Sequence, residues 1–246
     1  APDGVVAAAM ANNEGAKSGE ADLKQLAGLA GTLTKFHCRT FWTRKRADSV
    51  DDALLAQWSA LDAPRRIENG RYLSRPGVFA WNRIDPASAL LVECLPTDIT
   101  GHGADLGAGW GFLSLSLLAR NPGITALDLY EAEARALSLA RANLADAGAS
   151  ATLDFHWHDV TAGLPQRYDF IVSNPPFHTQ SRADRPDIGQ RFITAAAAAL
   201  KPGGRLWLVA NRHLPYEQTL NDQFGEVRVA GERDGFKVIA AVKARR

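Results

Sequence analysis

Four consecutive residues, Asn174, Pro175, Pro176 and Phe177, offer groups that could hold a planar amine. They follow the apolar stretch 168–173, which predicts a strand that ends just before Asn174. The Asn174 side-chain oxygen and the Pro175 carbonyl can each accept one N–H of the same amino group. The prolines restrict the backbone, so both acceptors stay aimed, and Phe177 offers a ring on which a base can stack. A proline-rich turn without a ligand is the alternative interpretation.

Two acceptors on one amine have a chemical consequence. An amine attached to an aromatic ring is a poor nucleophile because its lone pair is delocalised into the ring. Holding both N–H groups favours a tetrahedral nitrogen whose lone pair points at an electrophile. No strong general base is needed, since the amine becomes acidic as the new bond forms. The run therefore predicts methyl transfer to an exocyclic amine.

A glycine-rich turn is predicted between a strand at 103–106 and a helix at 111–120. Its glycines stand at alternate positions, whereas a dinucleotide fingerprint reads Gly-x-Gly-x-x-Gly. The turn exposes backbone N–H groups at a helix N-terminus, and Asp105 lies two residues before the first glycine. This arrangement suits the methionine end of S-adenosylmethionine, whose carboxylate can take the amides and whose ammonium can take carbonyls near Asp105. The predicted cofactor contacts are Asp105, Gly107, Ala108 and Gly109, with Asn174 beside them; a turn kept only for packing is the alternative.

Acidic residues near the ends of the next two predicted strands could complete a nucleoside site. An acid at the tip of the strand after the glycine turn commonly accepts hydrogen bonds from both ribose hydroxyls. Glu131, after strand 124–130, is favoured for this role, and Asp128 is the alternative. Asp159, after strand 151–157, is predicted to accept the adenine amino group.

Metal chemistry has little support in the sequence. His156 and His158 share one face of a predicted strand, a spacing that could suggest a metal. No third ligand stands at a suitable spacing, so no metal site is predicted. Cys38 and Cys94 are far apart, which suggests buried thiols in a reducing compartment.

The order of elements predicts the fold class. From residue 86 onward, predicted strands and helices alternate, which indicates an α/β fold with a mostly parallel sheet, helices on both faces and antiparallel strands at an edge. Asn69-Gly70 predicts a β-hairpin. Before these, the patterns predict a strand at 4–11, a helix at 20–30, one strand at 35–42, and a short helix or linker at 47–63 with Ser49 as its N-cap.

Charge is uneven along the 246 residues, although the net charge is only +1. Residues 35–83 contain ten Lys and Arg against five Asp and Glu, whereas residues 84–246 contain sixteen against eighteen. The basic segment is a candidate contact for a polyanion, and a solvated arginine-rich surface is the alternative. No apolar run approaches the roughly 18 residues that a membrane span needs.

From Arg65 onward the sequence resembles the bacterial ribosomal small-subunit guanine-N2 methyltransferases, within the methyltransferase small domain group. The residues that carry the resemblance are Arg75–Phe79, Asp105–Gly111, Ser173–His178, Gly203–Asn211, Leu214–Tyr216 and Gly235–Val238. The resemblance implies a Rossmann-like class I methyltransferase fold over 64–246, S-adenosylmethionine as cofactor, ribosomal RNA or the small subunit as partner, and a cytoplasmic location. It also implies substrate contacts by Phe79, Phe177, His178 and Asn211.

Residues 1–46 resemble the closing part of a cofactor-free N-terminal domain of this family, which leaves 47–63 as a linker helix. Two positions depart from the family pattern: Glu131 replaces the usual Asp, and Trp110 replaces a smaller residue.

Three other functions remain open at this point. Asn-Pro-Pro also occurs in enzymes that methylate a glutamine of release factors or adenine N6, although those more often end the motif in Tyr or Trp. A catalytically silent module that docks on RNA is a different class of protein, and the intact run 174–177 argues against it. A nicotinamide oxidoreductase is disfavoured by the glycine spacing.

Overall fold

Residues 3–46, 48–147, 151–176 and 186–245 are described by a computed structural model. The chain divides into two units, residues 1–63 and residues 64–246. Phe177 and His178, predicted to contact the substrate, lie outside the described residues.

The first unit is a small α/β arrangement built on a three-stranded antiparallel sheet. Its elements are β1 (Val5–Ala11), α1 (Ala16–Ala27), β2 (Gly31–Lys35), β3 (Cys38–Arg44) and α2 (Asp52–Leu61). The strand order is β1-β3-β2. The predicted strand at 4–11 is confirmed, and the helix predicted at 20–30 begins and ends earlier.

Three predictions in this unit are wrong. Cys38, predicted as a buried thiol, is exposed on β3. The single strand predicted at 35–42 is a hairpin, because Phe36 and His37 adopt φ of 53° and 59° and reverse the chain. Ser49 does not cap α2. The cap is Asp51, whose carboxylate accepts the Leu54 N–H at 2.9 Å, while the Ser49 hydroxyl is engaged with the Arg46 backbone.

The second unit contains a seven-stranded sheet and a two-stranded hairpin. Its strands are β4 (Arg65–Ile67), β5 (Tyr72–Ser74), β6 (Gly101–Leu106), β7 (Ile124–Glu131), β8 (Thr152–Trp157), β9 (Tyr168–Ser173), β10 (Leu200–Asn211), β11 (Glu226–Arg233) and β12 (Phe236–Val242). Its helices are α3 (Pro86–Cys94), α4 (Phe112–Arg120), α5 (Ala134–Asn143), α6 (Pro186–Ala199) and α7 (Glu217–Gln223).

The large sheet has the order β11-β12-β10-β9-β6-β7-β8. Strands β6 to β10 are parallel to one another, whereas β12 is antiparallel to β10 and β11 is antiparallel to β12. The predicted mostly parallel sheet with antiparallel edge strands is confirmed. The strand order reverses between β6 and β9, and open α/β sheets bind ligands at the carboxyl ends of strands at such a point.

Alternating side chains on the central strands supply a separate apolar core to each face of this sheet. On β10, Leu206 and Leu208 pack with α6 and α7, whereas Trp207 and Val209 pack with α3, α4 and α5. Helices therefore cover both faces, as the alternation of elements predicts. These two buried layers hold the carboxyl ends of the strands in fixed register.

The predicted hairpin is confirmed as β4 and β5, with Glu68, Asn69 and Gly70 all at positive φ in its turn. It is fastened to the glycine-rich turn and α5. The Tyr72 ring packs 5.2 Å from the Trp110 ring, and the Asn143 amide bonds both backbone groups of Leu73. No helix within the described ranges is long and apolar enough to span a membrane.

Candidate active site

The register of three adjacent strands brings the predicted site segments together. Leu106 on β6 pairs with Tyr130 on β7 and with Ser173 on β9. The residues that follow are therefore neighbours at one edge of the sheet: the glycine-rich turn, Glu131 and Asn174.

The glycine-rich turn adopts a backbone that side chains disfavour. Gly107, Gly109 and Gly111 have φ of 75°, 56° and 93°, in the left-handed region where glycine has no steric cost. The N–H groups of Gly107 and Ala108 both donate to the Tyr130 carbonyl, at 2.9 and 3.1 Å. The turn is thus tied to the end of β7, and α4 begins directly after it.

Asp105 lies completely buried beneath the turn. Its Oδ2 accepts the Ser114 hydroxyl at 2.7 Å, whereas its Oδ1 has no hydrogen-bond partner among the described residues. Burial raises the pKa of Asp105 to about 7, the Ser114 hydrogen bond opposes this rise, and the nearby Glu131 carboxylate adds to it. A cation near this oxygen would supply the missing partner.

The geometry favours Glu131 over Asp128 as the acid at the strand tip. Glu131 reaches the glycine-rich turn, because its Oε2 accepts the Gly109 N–H at 2.8 Å. Asp128 lies three residues inside β7, where it is almost fully buried. Its two oxygens are engaged by His102 Nε2 at 3.1 Å and the Tyr168 hydroxyl at 2.7 Å.

Asp159 follows β8 and is exposed. Its Oδ1 accepts the Thr161 N–H at 2.9 Å and the Thr161 hydroxyl at 2.7 Å, and these hydrogen bonds lower the pKa of Asp159. The neighbouring His158 N–H donates to the Glu131 carbonyl at 3.0 Å. Asp159 therefore stays ionised close to the tip of β7.

His156 on β8 and His158 just after it have partners that are not metal ligands. The His156 ring stacks on Tyr130 at 4.5 Å, and His158 Nε2 lies 2.7 Å from the Gly163 carbonyl. Within the part of the chain that the structure describes, no group of three or more His, Cys, Asp or Glu side chains is placed to hold a metal.

The two polar atoms of the Asn174 amide differ: Nδ2 is hydrogen-bonded, whereas Oδ1 has no partner among the described residues. Its Nδ2 donates to Asp85 Oδ2 at 2.9 Å and lies 2.8 Å from Ser88 Oγ. Its Oδ1 is buried and accepts no hydrogen bond from the described residues. Asn174 lines an open pocket at the glycine-rich turn together with Phe79, Ala80, Asp85, Ser88, Gly107, Ala108, Gly109, Trp110, Phe112 and Leu113.

Of the other residues predicted to contact the substrate or to act in catalysis, only some line this pocket. Phe79 lines it with its ring 67% exposed. Pro175 is buried and lines a separate small cavity under α6, and Pro176 is exposed. Asn211 ends β10 on the same edge of the sheet but is not among the residues that line the pocket.

Sequence comparison identifies the family to which this arrangement belongs. The model of the methyltransferase small domain matches residues 69–240. The chain belongs to this family.

Named relatives agree with the resemblance seen in the sequence. Ribosomal RNA small subunit methyltransferase C of Alcanivorax borkumensis is 38% identical over 173 residues, which cover 69% of this chain and 51% of the relative. The protein of the same name from Klebsiella pneumoniae is 31% identical over 234 residues, which cover 95% of this chain and 66% of the relative. The chain thus spans only about half to two thirds of these relatives.

A solved structure shares the fold over nearly the whole chain. It is the T. thermophilus 16S rRNA N2 G1207 methyltransferase in complex with AdoMet and guanosine, with a TM-score of 0.77 and 27% identity. The match covers 98% of this chain and 65% of that one. The predicted Rossmann-like methyltransferase fold is confirmed.

Trp110, where the sequence resemblance leads us to expect a smaller residue, is part of the packing around the glycine-rich turn. Trp110 is 4% exposed and packs against Tyr72 and Phe112, and its carbonyl accepts an N–H from Asn143. The larger ring therefore joins the hairpin to the glycine-rich turn.

Sequence reasoning missed Asp85 and Ser88, which bind the Asn174 amide. The local signal was present, since an Asp directly before Pro86 is typical of a helix N-cap. Asp85 Oδ2 does accept the Ser88 N–H at 2.8 Å. The contact with Asn174, 89 residues away, has no sequence signal.

Proposed function

We propose that this chain transfers a methyl group from S-adenosylmethionine to the exocyclic N2 amine of a guanine in small-subunit ribosomal RNA. The observation that carries the proposal is the Oδ1 of Asn174 next to a glycine-rich turn, which is buried and has no partner among the described residues. An oxygen in that state costs free energy unless a ligand donates to it. The names of the relatives supply the class of substrate.

The residues at the turn fit S-adenosylmethionine. Asp105 Oδ1 is a buried acceptor that lacks a partner among the described residues, as an ammonium ligand would require. A Cβ atom built at Gly109 would meet nothing within 4 Å, so there is space for a ligand beside this glycine. The N–H groups of Gly107, Ala108 and Gly109, which the sequence predicted to receive the ligand carboxylate, are instead bonded to Tyr130 and Glu131. Glu131 is the proposed acceptor for the ribose hydroxyls and Asp159 for the adenine amine. When bound, the cofactor supplies an electrophilic methyl group.

The remaining residues act on the base. Asn174 Oδ1 and the Pro175 carbonyl each accept one N–H of the guanine amine and thereby aim its lone pair at the methyl group. Phe79 and Phe177 are proposed to stack on the extruded base. His178 and Asn211 are proposed contacts to its edges. No side chain is assigned as general base, because the amine becomes acidic as the methyl group arrives.

Arginines near the pocket support RNA as the partner. Residues 64–83 contain five arginines and one acidic residue, and Arg66 and Arg71 stand exposed on the hairpin that packs against Trp110. Guanidinium groups bind phosphate oxygens in pairs. A ribosomal RNA substrate also implies a cytoplasmic location.

The proposal is tested by offering the chain several acceptors in parallel. Radiolabelled S-adenosylmethionine is incubated with the chain and either small ribosomal subunits, naked ribosomal RNA or a release factor. Label in the RNA of either ribosomal sample supports the proposal. Label only in the release factor would assign the chain to the glutamine methyltransferases. Cofactor binding with no label in any acceptor would favour a silent RNA-docking module.

A further inference from the structure

The side chains of Asp85 and Ser88 bind the nitrogen of the Asn174 amide. Asp85 Oδ2 is 2.9 Å from Asn174 Nδ2, and Ser88 Oγ is 2.8 Å from the same atom. Asp85 caps α3 through the same Oδ2, which accepts the Ser88 N–H at 2.8 Å. The first turn of α3 is therefore bonded to the residue that follows β9.

The contact matters because an asparagine amide has no intrinsic preference between its two orientations. Rotation by half a turn about χ2 exchanges the NH₂ group and the oxygen at little torsional cost. An ionised carboxylate can only accept hydrogen bonds, so Asp85 selects the orientation in which Nδ2 faces it. Asn174 Oδ1 then points away from Asp85, and it is buried with no partner in the part of the chain that the structure describes.

The opposite orientation would be unproductive. It would place Oδ1 against the Asp85 carboxylate and present the NH₂ group to an incoming amine, so that two donors would face each other. A charged acceptor forms stronger hydrogen bonds than a neutral one, and this makes Asp85 the main determinant of the orientation.

We infer that Asp85, assisted by Ser88, is a positioning residue that fixes the Asn174 amide so that its oxygen is presented to the substrate amine. The inference rests on the proposed function for the identity of that amine. Asp85 acts only through Asn174 and takes no proton in the reaction.

Two substitutions separate this role from helix capping. Asp85→Ser keeps a good N-cap residue, but its side chain is too short to reach Asn174. Asp85→Asn keeps an oxygen that can accept both hydrogen bonds without the charge. The matched control is Asp51→Ser, because Asp51 caps α2 in the other unit with the same geometry, 2.9 Å from the Leu54 N–H.

The first measurement is the single-turnover rate of methyl transfer, together with the dissociation constant for S-adenosylmethionine and the melting temperature. We expect Asp85→Ser to slow transfer about tenfold or more, with cofactor affinity and melting temperature near the wild-type values. Asp85→Asn should recover most of the rate, and Asp51→Ser should leave it unchanged. Equal losses in both Asp85 variants, or wild-type rate in Asp85→Ser, would overturn the inference.

The second measurement needs no methyl transfer. The side-chain NH₂ signals of Asn174 are followed by ¹⁵N NMR of the full chain and assigned by their disappearance in Asn174→Asp. Asp85→Ser should shift these signals towards those of a free amide, whereas Asp85→Asn should shift them less. Unchanged signals in Asp85→Ser would overturn the inference even if the wild-type chain methylates its RNA. If the wild-type chain methylates nothing, the proposed function fails and these signals still decide the role of Asp85.

Discussion

At the scale of single residues, Asp105 is fully buried, and only one of its two oxygens has a hydrogen-bond partner among the described residues. Desolvation is the main reason that its pKa rises to about 7, and the nearby Glu131 carboxylate adds to the rise. In an unfolded chain the pKa of Asp is about 4. The stability contributed by protonated Asp105 is therefore present below about pH 4 and is lost as the pH rises through about 7.

This difference predicts the effect of Asp105→Asn on the chain without cofactor. Because the amide does not ionise, the variant should lose less stability than the wild type between about pH 5 and pH 8. The measurement is the free energy of urea unfolding at both pH values. Asp159→Asn is the control. Because the pKa of Asp159 is lowered, this carboxyl group titrates below pH 5 and should not change the pH dependence between pH 5 and pH 8. An identical pH dependence in Asp105→Asn and wild type would contradict the prediction.

The residues that sequence reasoning identified share a feature. Asn174 and the glycines directly follow strands, and Glu131 is the last residue of β7. The parallel register brings these strand ends together at one edge of the sheet. Asp85 was missed because it approaches Asn174 from a helix that precedes the sheet in the chain. Periodicity and spacing describe only local neighbours, so a contact across 89 positions requires the structure.

At the scale of elements, Gly109 and Gly111 of the glycine-rich turn differ in the space around them: Gly111 is closely packed and Gly109 is not. A Cβ at Gly111 would lie 2.6 Å from Leu144 Cδ1 and 3.3 Å from Ala140 Cα, whereas a Cβ at Gly109 would meet nothing within 4 Å. Both positions have positive φ. One glycine is therefore needed for packing α4 against α5, and the other leaves space at the pocket.

Alanine at these two positions should have different effects. Gly111→Ala adds a clash to the cost of the left-handed backbone and should lower the free energy of unfolding by about 2–4 kcal/mol. Gly109→Ala should cost only about 1–2 kcal/mol but should weaken S-adenosylmethionine binding, because the new methyl group occupies ligand space. Urea unfolding and calorimetric titration measure the two effects. Unfolding losses of equal size would contradict the packing argument.

The arginine-bearing hairpin predicts a change in the salt dependence of RNA binding. Arg66 and Arg71 are exposed on the hairpin that packs against Trp110, so replacing both by Gln should reduce the slope of log K against log salt by about 1.5–2. Arg228→Gln is the control, because Arg228 is exposed on β11 at the far edge of the sheet. A slope that falls equally in the control would place the phosphate contacts elsewhere.

Most helices and strands could be predicted from the periodicity of apolar residues, but one chain reversal could not. The hairpin at Asn69-Gly70 was predictable because these residues tolerate positive φ. The turn at Phe36 and His37 was not, since phenylalanine rarely adopts the positive φ that both residues have and a single histidine is only a weak signal for it. The sequence pattern there is continuous, so only the pairing of β2 with β3 reveals the reversal.

At the scale of the whole molecule, the three clusters of buried apolar residues found in the described part of the chain all lie within residues 64–246. The candidate site lies there too. We therefore expect residues 64–246 alone to unfold cooperatively and to bind S-adenosylmethionine with the affinity of the full chain. Calorimetric titration of both forms tests this, and loss of cofactor binding in the shorter form would contradict it.

The most direct test of the site is a comparison of wild type with Asn174→Ala on small-subunit RNA. After incubation with S-adenosylmethionine, the RNA is digested to nucleosides and analysed by mass spectrometry, and cofactor affinity is measured on the same preparations. We predict N2-methylguanosine with the wild type, essentially none with Asn174→Ala, and nearly equal cofactor affinity for both. Methylation retained by Asn174→Ala, or an equal loss of activity and cofactor binding, would contradict the assignment of Asn174 as the acceptor of the substrate amine.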